Sequence, residues 1–249
     1  MTTVSRIEWT EQTWNPAVGC TKISTGCKNC YAETMAKRLK SMGTPGYENG
    51  FALQLMPKRL QDPLKRKKPT IYFVNSMSDL FHERIPDSYI EQVFDVIAQT
   101  PQHTYQILTK RAARMARYFK GRSAPQNAWL GVTVESRKHG VPRIDHLRKV
   151  PAQIRFLSVE PLLEDIGILD LTGIHWVIVG GESGPKARPM KLEWADSVRQ
   201  QCEEQRVAFF FKQWGGWGED GQRRAKSANG RELNGRTWDE MPTEALCAG

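Results

Sequence analysis

The sequence predicts an α/β chain built as a partial (β/α) barrel, and three observations carry that expectation. Short apolar runs alternate with amphipathic helical patterns, each run ends in polar residues, and a cysteine-dense loop stands between a first strand and a first helix. Strands that alternate with helices pair in parallel, with the helices covering the sheet. Polar groups at the carboxyl ends of strands are where such folds build their sites. Six such runs come after a first strand before the cysteine loop, which falls short of a closed eight. An open doubly wound sheet is the competing arrangement, because GGESG after the apolar run 175–179 looks like a phosphate-binding turn. That turn lacks a spaced third glycine opening a helix, and Pro185 and Pro189 interrupt the residues after it.

In chain order, the loop TWNPAVGCTKISTGCKNC is rich in turn formers and gives way to a helical pattern from Tyr31, YAETMAKRLKSM. Residues 43–69 then read as an irregular basic insertion, punctuated by proline and glycine. The run 71–74 stops at Asn75, Ser76, Ser78 and Asp79, and a helix over 89–99 shows Ile90, Val93, Phe94 and Ile97 on one face. The unit recurs: 105–108 runs into Thr109, Lys110 and Arg111; 129–132 into Thr133, Glu135 and Ser136; 154–157 into Ser158, Glu160 and Pro161. The last two runs are 175–179, before Glu182, and 208–211, before Lys212. Helices are expected at about 112–118, 143–149 and 192–205. Residues 1–214 thus form the barrel. Residues 215–249 form a C-terminal glycine-rich hairpin extension, in which Asn234-Gly235 is a strong hairpin signal, ending in a frayed tail, TEALCAG.

A chain of 249 residues, 39% hydrophobic and 25% charged, has ample material for a core. Its amino terminus lacks a basic-then-apolar signal pattern and its apolar runs are too short to span a bilayer, so a cytoplasmic location and no membrane partner are expected. The net charge of +9 favours polyanionic partners. Lys58, Arg59, Lys65, Arg66, Lys67 and Lys68 are candidates for a phosphate-facing surface, set against a merely solvated face.

Cys20, Cys27 and Cys30 are the candidate metal ligands. A thiolate triplet in one loop can hold one soft metal centre and leaves a coordination position open. Cys30 stands just before a helix N-terminus, where the exposed N–H groups favour anionic thiolates. A structural zinc site is the alternative, but its fourth ligand would have to come from Cys202, Cys247 or a histidine, none at a short spacing from Cys30. Incidental thiols are a third reading. A disulfide is disfavoured by the odd cysteine count in a chain with no secretory segment.

The combination GCTKISTGCKNCYAE, NSMSD, LTKR, WLGVTVES, SVEPLL and GGESG resembles a phage-associated three-cysteine-motif family of unknown function, similar in turn to the spore photoproduct lyase branch of radical S-adenosylmethionine enzymes. Two departures stand out: six residues separate Cys20 from Cys27, and Asn29 occupies a position that is aromatic in the commoner motif. The resemblance implies a partial (β/α) barrel of the radical S-adenosylmethionine type. It also implies a 4Fe-4S cluster on Cys20, Cys27 and Cys30, S-adenosylmethionine as second cofactor, and a reducing electron donor as partner. The cofactor would be cleaved reductively to start hydrogen abstraction on a substrate, with a nucleic acid as the candidate. Asn75, Ser76, Ser78 and Asp79 would bind the methionine amino group in place of the usual glycine-rich segment, Lys110 the carboxylate, and Glu135 the ribose. Glu160, Glu182 and Lys212 would face substrate. The competing function class is a non-catalytic nucleic-acid-binding protein stabilised by zinc or a cluster.

Overall fold

The computed structural model describes residues 3–4 and 7–242; the tail TEALCAG, with Cys247, lies outside them. Its strands are β1 (Thr3–Val4), β2 (Gln12–Trp14), β3 (Ala17–Val18), β4 (Gln54–Leu55), β5 (Ile71–Val74), β6 (Thr104–Thr109), β7 (Ala128–Thr133), β8 (Ile154–Val159), β9 (Trp176–Gly180), β10 (Ala208–Gln213), β11 (Glu232–Leu233) and β12 (Arg236–Thr237). Its α-helices are α1 (Tyr31–Ser41), α2 (Asp87–Gln99), α3 (Ala112–Tyr118), α4 (Pro142–Arg148), α5 (Leu192–Glu204) and the single turn α6 (Lys226–Asn229). The main sheet has the order β1-β2-β5-β6-β7-β8-β9-β10, with β1 antiparallel to β2 and the other seven strands parallel. A doubly wound sheet reverses its strand order at a switch point. Here the parallel strands keep to chain order without reversal, the winding of a partial (β/α) barrel. Among the described residues, no helix is long and apolar enough to cross a membrane.

The chain divides into two compact units: residues 1–23, 30–131 and 149–153 form the first, and residues 24–29, 132–148 and 154–249 the second. In the first, β2, β5 and β6 pair in register, Gln12 with Tyr72 with Tyr105. Side chains on one strand face alternate with a period of two. Trp14, Tyr72 and Tyr105 accordingly share a face, with Tyr72 stacked on Tyr105 at 5.4 Å and Trp14 edge-on to Tyr105 at 5.6 Å. Helix α2 buries Ile90, Val93, Phe94 and Ile97, the stripe expected from their spacing, and full burial of each such side chain contributes about 1.5–3 kcal/mol. In the second unit, β8, β9 and β10 pair in parallel around Trp176, whose ring lies 5.7 Å from Phe156 and 6.0 Å from Phe210. Asn234 and Gly235 both take positive φ, 53° and 73°, and turn β11 antiparallel onto β12.

Several boundaries differ from the sequence expectation. Thr109, Ser158, Lys212 and Gln213 lie within strands rather than beyond them, because strand pairing uses backbone groups and tolerates polar side chains at its end. Helix α2 starts two residues early, since Asp87 suits a first turn after the extended Pro86. The segment 43–69 is not wholly irregular: β4 pairs antiparallel with β3 and leads into two short 3₁₀ turns, Pro57–Arg59 and Pro63–Lys65. Its Phe51 and Met56 pack on a cluster of Val18, Ala32, Ala36, Tyr47 and Met77, so the insertion covers α1 and the start of the cysteine loop.

A cysteine loop anchored at strand ends

The chain from Asn15 to Thr21 is bracketed by the polar residues just after β5. Asn75 takes a left-handed φ of 57°, which asparagine tolerates, and its Oδ1 accepts from Ala17 N at 3.1 Å. Ser76 Oγ donates to Asn15 Oδ1 at 3.2 Å, and the Ser76 carbonyl accepts from the Tyr31 hydroxyl. Ser78 Oγ donates to the Gly19 carbonyl at 2.6 Å, while Gly19 N donates to Met77 O at 2.9 Å. Gly19 itself has φ +79°, and a Cβ there would stand 2.1 Å from the Ala52 carbonyl oxygen. Only glycine fits before Cys20.

Asp79 and Arg111 form the centre of this bracket, each with only 6% of its surface exposed. Asp79 Oδ1 accepts from Thr109 Oγ1 at 2.7 Å and Phe81 N at 3.0 Å, and its Oδ2 from Lys110 N and Arg111 Nη1, both at 3.0 Å. A carboxylate offers about four acceptor positions, so those of Asp79 are all used within the chain. Arg111 reaches on to Glu83 at 2.9 Å, to Thr21 O at 3.2 Å, to Thr21 Oγ1 at 2.9 Å and to Cys20 Sγ at 3.5 Å. Burial pushes the Cys20 thiol up to about 11, reinforced by the Asp79 charge and opposed by Arg111. Burial also holds His82 below its ordinary value, helped by the Arg111 charge, and its Nε2 lies 2.9 Å from Thr21 Oγ1.

Residues 24–29 belong to the second unit and are held by the ends of β7 and β9. Glu135, with no exposed surface, forms a bidentate pair with Arg143 at 2.6 and 3.3 Å. A Cβ on Gly26 would lie 2.8 Å from Glu135 Cγ, so the glycine before Cys27 leaves room for that side chain. Glu182 accepts from Asn29 Nδ2 at 2.9 Å and from Arg188 through its backbone N, Nε and Nη2 at 2.9, 2.9 and 2.5 Å. Arg188 Nη2 also donates to Thr25 O at 3.1 Å, and Asn29 Nδ2 to Lys186 O at 2.7 Å. Burial works to raise the Glu182 carboxyl, but the Arg188 and Asn29 donors outweigh it and hold it below its ordinary value.

Farther along the same strand ends, Glu160 pairs with Lys212 at 2.9 Å, both partly exposed. Gly180, on the strand between theirs, permits the contact, because a Cβ there would meet Glu160 Oε1 at 2.7 Å. An open hollow of about 370 Å³ beside Cys202, Val207, Ala208 and Met241 lies at the amino end of β10, the wrong end of the strand for this chemistry.

Cys20, Cys27 and Cys30 are of intermediate exposure and none of them is in a disulfide. As a donor set they suit a thiolate-ligated cluster. Among the described residues, no three His, Cys, Asp or Glu side chains are gathered as ligands around one point. The four acceptor positions of Asp79 all meet donors within the chain, while Ser76 and Ser78 donate within it and Glu135 pairs with Arg143. Asn75 Nδ2 is buried without a partner, and Lys110 contributes its backbone N–H to Asp79. Sequence reasoning missed Arg111, Arg188 and Arg143. Arg111 stood in plain view beside Lys110, but nothing local says that it reaches across 91 residues to Cys20.

Residues 4–242 match the family described as "Protein of unknown function (DUF5131)". No curated protein matches. Among solved structures, the chain is similar to a spore photoproduct lyase complexed with dinucleoside spore photoproduct, at 13% identity and a TM-score of 0.48. It is similar at the same identity and TM-score to a double mutant of that enzyme with bound AdoMet and dinucleoside spore photoproduct, and at 12% and 0.49 to a cysteine-to-serine mutant. Each similarity covers 82% of this chain and 64% of the other, so the chain spans less than two thirds of those proteins.

Proposed function

From the premise that this chain belongs to the DUF5131 family, we propose that it is an iron–sulfur enzyme of the radical S-adenosylmethionine type, in which Cys20, Cys27 and Cys30 ligate a 4Fe-4S cluster. One observation carries the reading: three cysteines outside any disulfide share a loop whose flanks are tied by charged networks to the carboxyl ends of parallel strands. When bound, such a cluster supplies one electron for reductive cleavage of S-adenosylmethionine, and so for hydrogen abstraction from a substrate.

The chain's own residues do the positioning. Asn75, Ser76 and Ser78 fix the path from Asn15 to Gly19, Asp79 orients Arg111 against Cys20, and Glu135 and Glu182 fix residues 25–29. Asn75, with an amide donor to offer, and Lys110, with an ammonium, are assigned to the anionic carboxylate of S-adenosylmethionine. The partly exposed Glu160–Lys212 pair is assigned to substrate. This division departs from the family resemblance at Asp79, whose four acceptor positions meet donors within the fold, at Glu135, which is fully buried against Arg143, and at Asn75, moved from the amino group to the carboxylate; Ser76 and Ser78 keep hydroxyl lone pairs for the amino group. It likewise moves Glu182 from substrate to the loop.

A nucleic acid is the proposed substrate class. Lys58, Lys65, Lys67 and Lys68 are exposed, whereas Arg59 and Arg66 are half-buried and donate to Pro45 O and Thr70 Oγ1. If the four lysines contact phosphates, affinity for duplex DNA falls with salt at a log-log slope of about −0.9 per contact, and replacing all four by alanine flattens it.

Anaerobic reconstitution with iron and sulfide, then reduction with S-adenosylmethionine present, tests the enzyme reading. Deoxyadenosine formation supports it. Stoichiometric zinc in place of iron favours the non-catalytic nucleic-acid-binding alternative.

A further inference from the structure

We propose that Arg111 is a positioning residue for the Cys20 sulfur, fixing the ligand's place and setting the electronic character of whatever cluster it binds. This rests on the iron–sulfur reading of the three cysteines. A guanidinium has five N–H donors in a rigid fork. All five have acceptors here: Nε donates to Glu83, Nη1 to Asp79 and Cys20 Sγ, and Nη2 to Thr21 O and Thr21 Oγ1. The side chain therefore holds the Cys20 sulfur and the backbone of the next residue at once. Arg111 is fixed in turn, since its backbone N donates to Thr109 Oγ1 at 2.8 Å and that hydroxyl donates to Asp79. The result is a closed ring of Asp79, Thr109 and Arg111, with one N–H left to aim at sulfur.

This arrangement has two physical consequences. A ligand oriented by a buried outer partner binds metal more tightly, and losing such a partner typically costs roughly 10- to 100-fold in metal affinity. A cationic N–H donor beside a cluster sulfur also favours the more reduced, more negative state, so it raises the reduction potential. Lysine supplies the charge without the fork, and cannot reach Cys20, Asp79 and Thr21 together.

The test compares wild type, Arg111→Lys, Arg111→Gln and the double variant Arg111→Gln/Asp79→Asn, each reconstituted anaerobically. The double variant removes the buried charge pair together and leaves no charge stranded, so it keeps the test available where the single variant misfolds. Two readouts are iron retained against a chelator and the cluster's reduction potential from a spectroscopic titration. In Arg111→Gln, iron retention is expected to fall roughly 10- to 100-fold and the potential to shift downward; in the double variant retention falls likewise, while the shift in potential is smaller than in Arg111→Gln because loss of the Asp79 charge opposes it. Arg111→Lys is expected to recover the potential in part and retention hardly at all. A purely structural role would leave the potential of the remaining cluster where it was. Variants that match wild type in both readouts overturn the inference while the iron–sulfur reading stands; a wild-type chain that takes up no iron overturns that reading, and this inference with it.

Discussion

The two sides of the cysteine loop are held by different means. Before Ile23 the chain is gripped by a buried Asp79–Arg111 network that ends on a ligand sulfur, Cys20 Sγ. From Ser24 to Asn29 the grip is a Glu182–Arg188 network that ends on a backbone carbonyl, Thr25 O, and on the Asn29 amide, with Glu135 fitted by shape against Gly26. The same chemistry, carboxylate and guanidinium at strand ends, thus serves the sulfur itself on one side and only the path of the chain on the other. Substitutions on the first side should change both fold and ligand; those on the second should change the loop's order.

The largest effect is expected from Gly19→Ala. The left-handed φ of +79° and the 2.1 Å approach to a backbone oxygen combine strain with a clash that no rotamer relieves. A loss upward of about 4 kcal/mol in urea unfolding is expected, together with loss of iron uptake. Asp79→Ala comes next at about 3–5 kcal/mol, because it removes the buried carboxylate partner of Arg111 and leaves only the exposed Glu83 to balance that charge. A cycle with Arg111→Met sharpens this: the double variant should recover much of that loss, since the two residues act as one unit. Gly26→Ala should cost less than Gly19→Ala, about 1–3 kcal/mol, because the atom it meets is a side-chain carbon and Gly26 has no left-handed backbone to strain. Equal costs for the two glycines would erase the distinction between the sides.

Smaller still is a pH effect on the second side. The Glu182 carboxyl titrates below its ordinary value of 4.5 in the folded chain, so it contributes stability that is present above that value and lost as pH falls through the lower, folded one. Thermal melts from pH 6 down to about pH 3 should show this acid limb in wild type and a shallower one in Glu182→Gln. An unchanged limb would mean that Arg188 does not hold the carboxylate charged.

The strands and helices were legible because they arise from apolar periodicity, and the strand-end positions of Asn75, Asp79, Lys110, Glu135, Glu160, Glu182 and Lys212 came with them. That three cysteines share one loop was legible from spacing alone, and their ligation of a cluster stands as a proposal. What each strand-end residue touches was not. Asp79 looked like a ligand for a cationic amine because a carboxylate in a polar loop has that capacity; only the fold shows that four donors already fill it. Arg111 was passed over because its acceptors come from positions 20, 21, 79 and 83, which no local pattern joins. The break between compact units inside the cysteine loop, between Ile23 and Ser24, carries no compositional mark either.

The most direct test of the iron–sulfur assignment is the metal content of the chain purified and reconstituted without oxygen, beside Cys20→Ala, Cys27→Ala, Cys30→Ala and Cys202→Ala. About four iron atoms per chain in wild type and in Cys202→Ala, and loss of iron in each of the other three, is the expected result. Zinc in place of iron, or iron that survives replacement of Cys20, Cys27 and Cys30 alike, would contradict it.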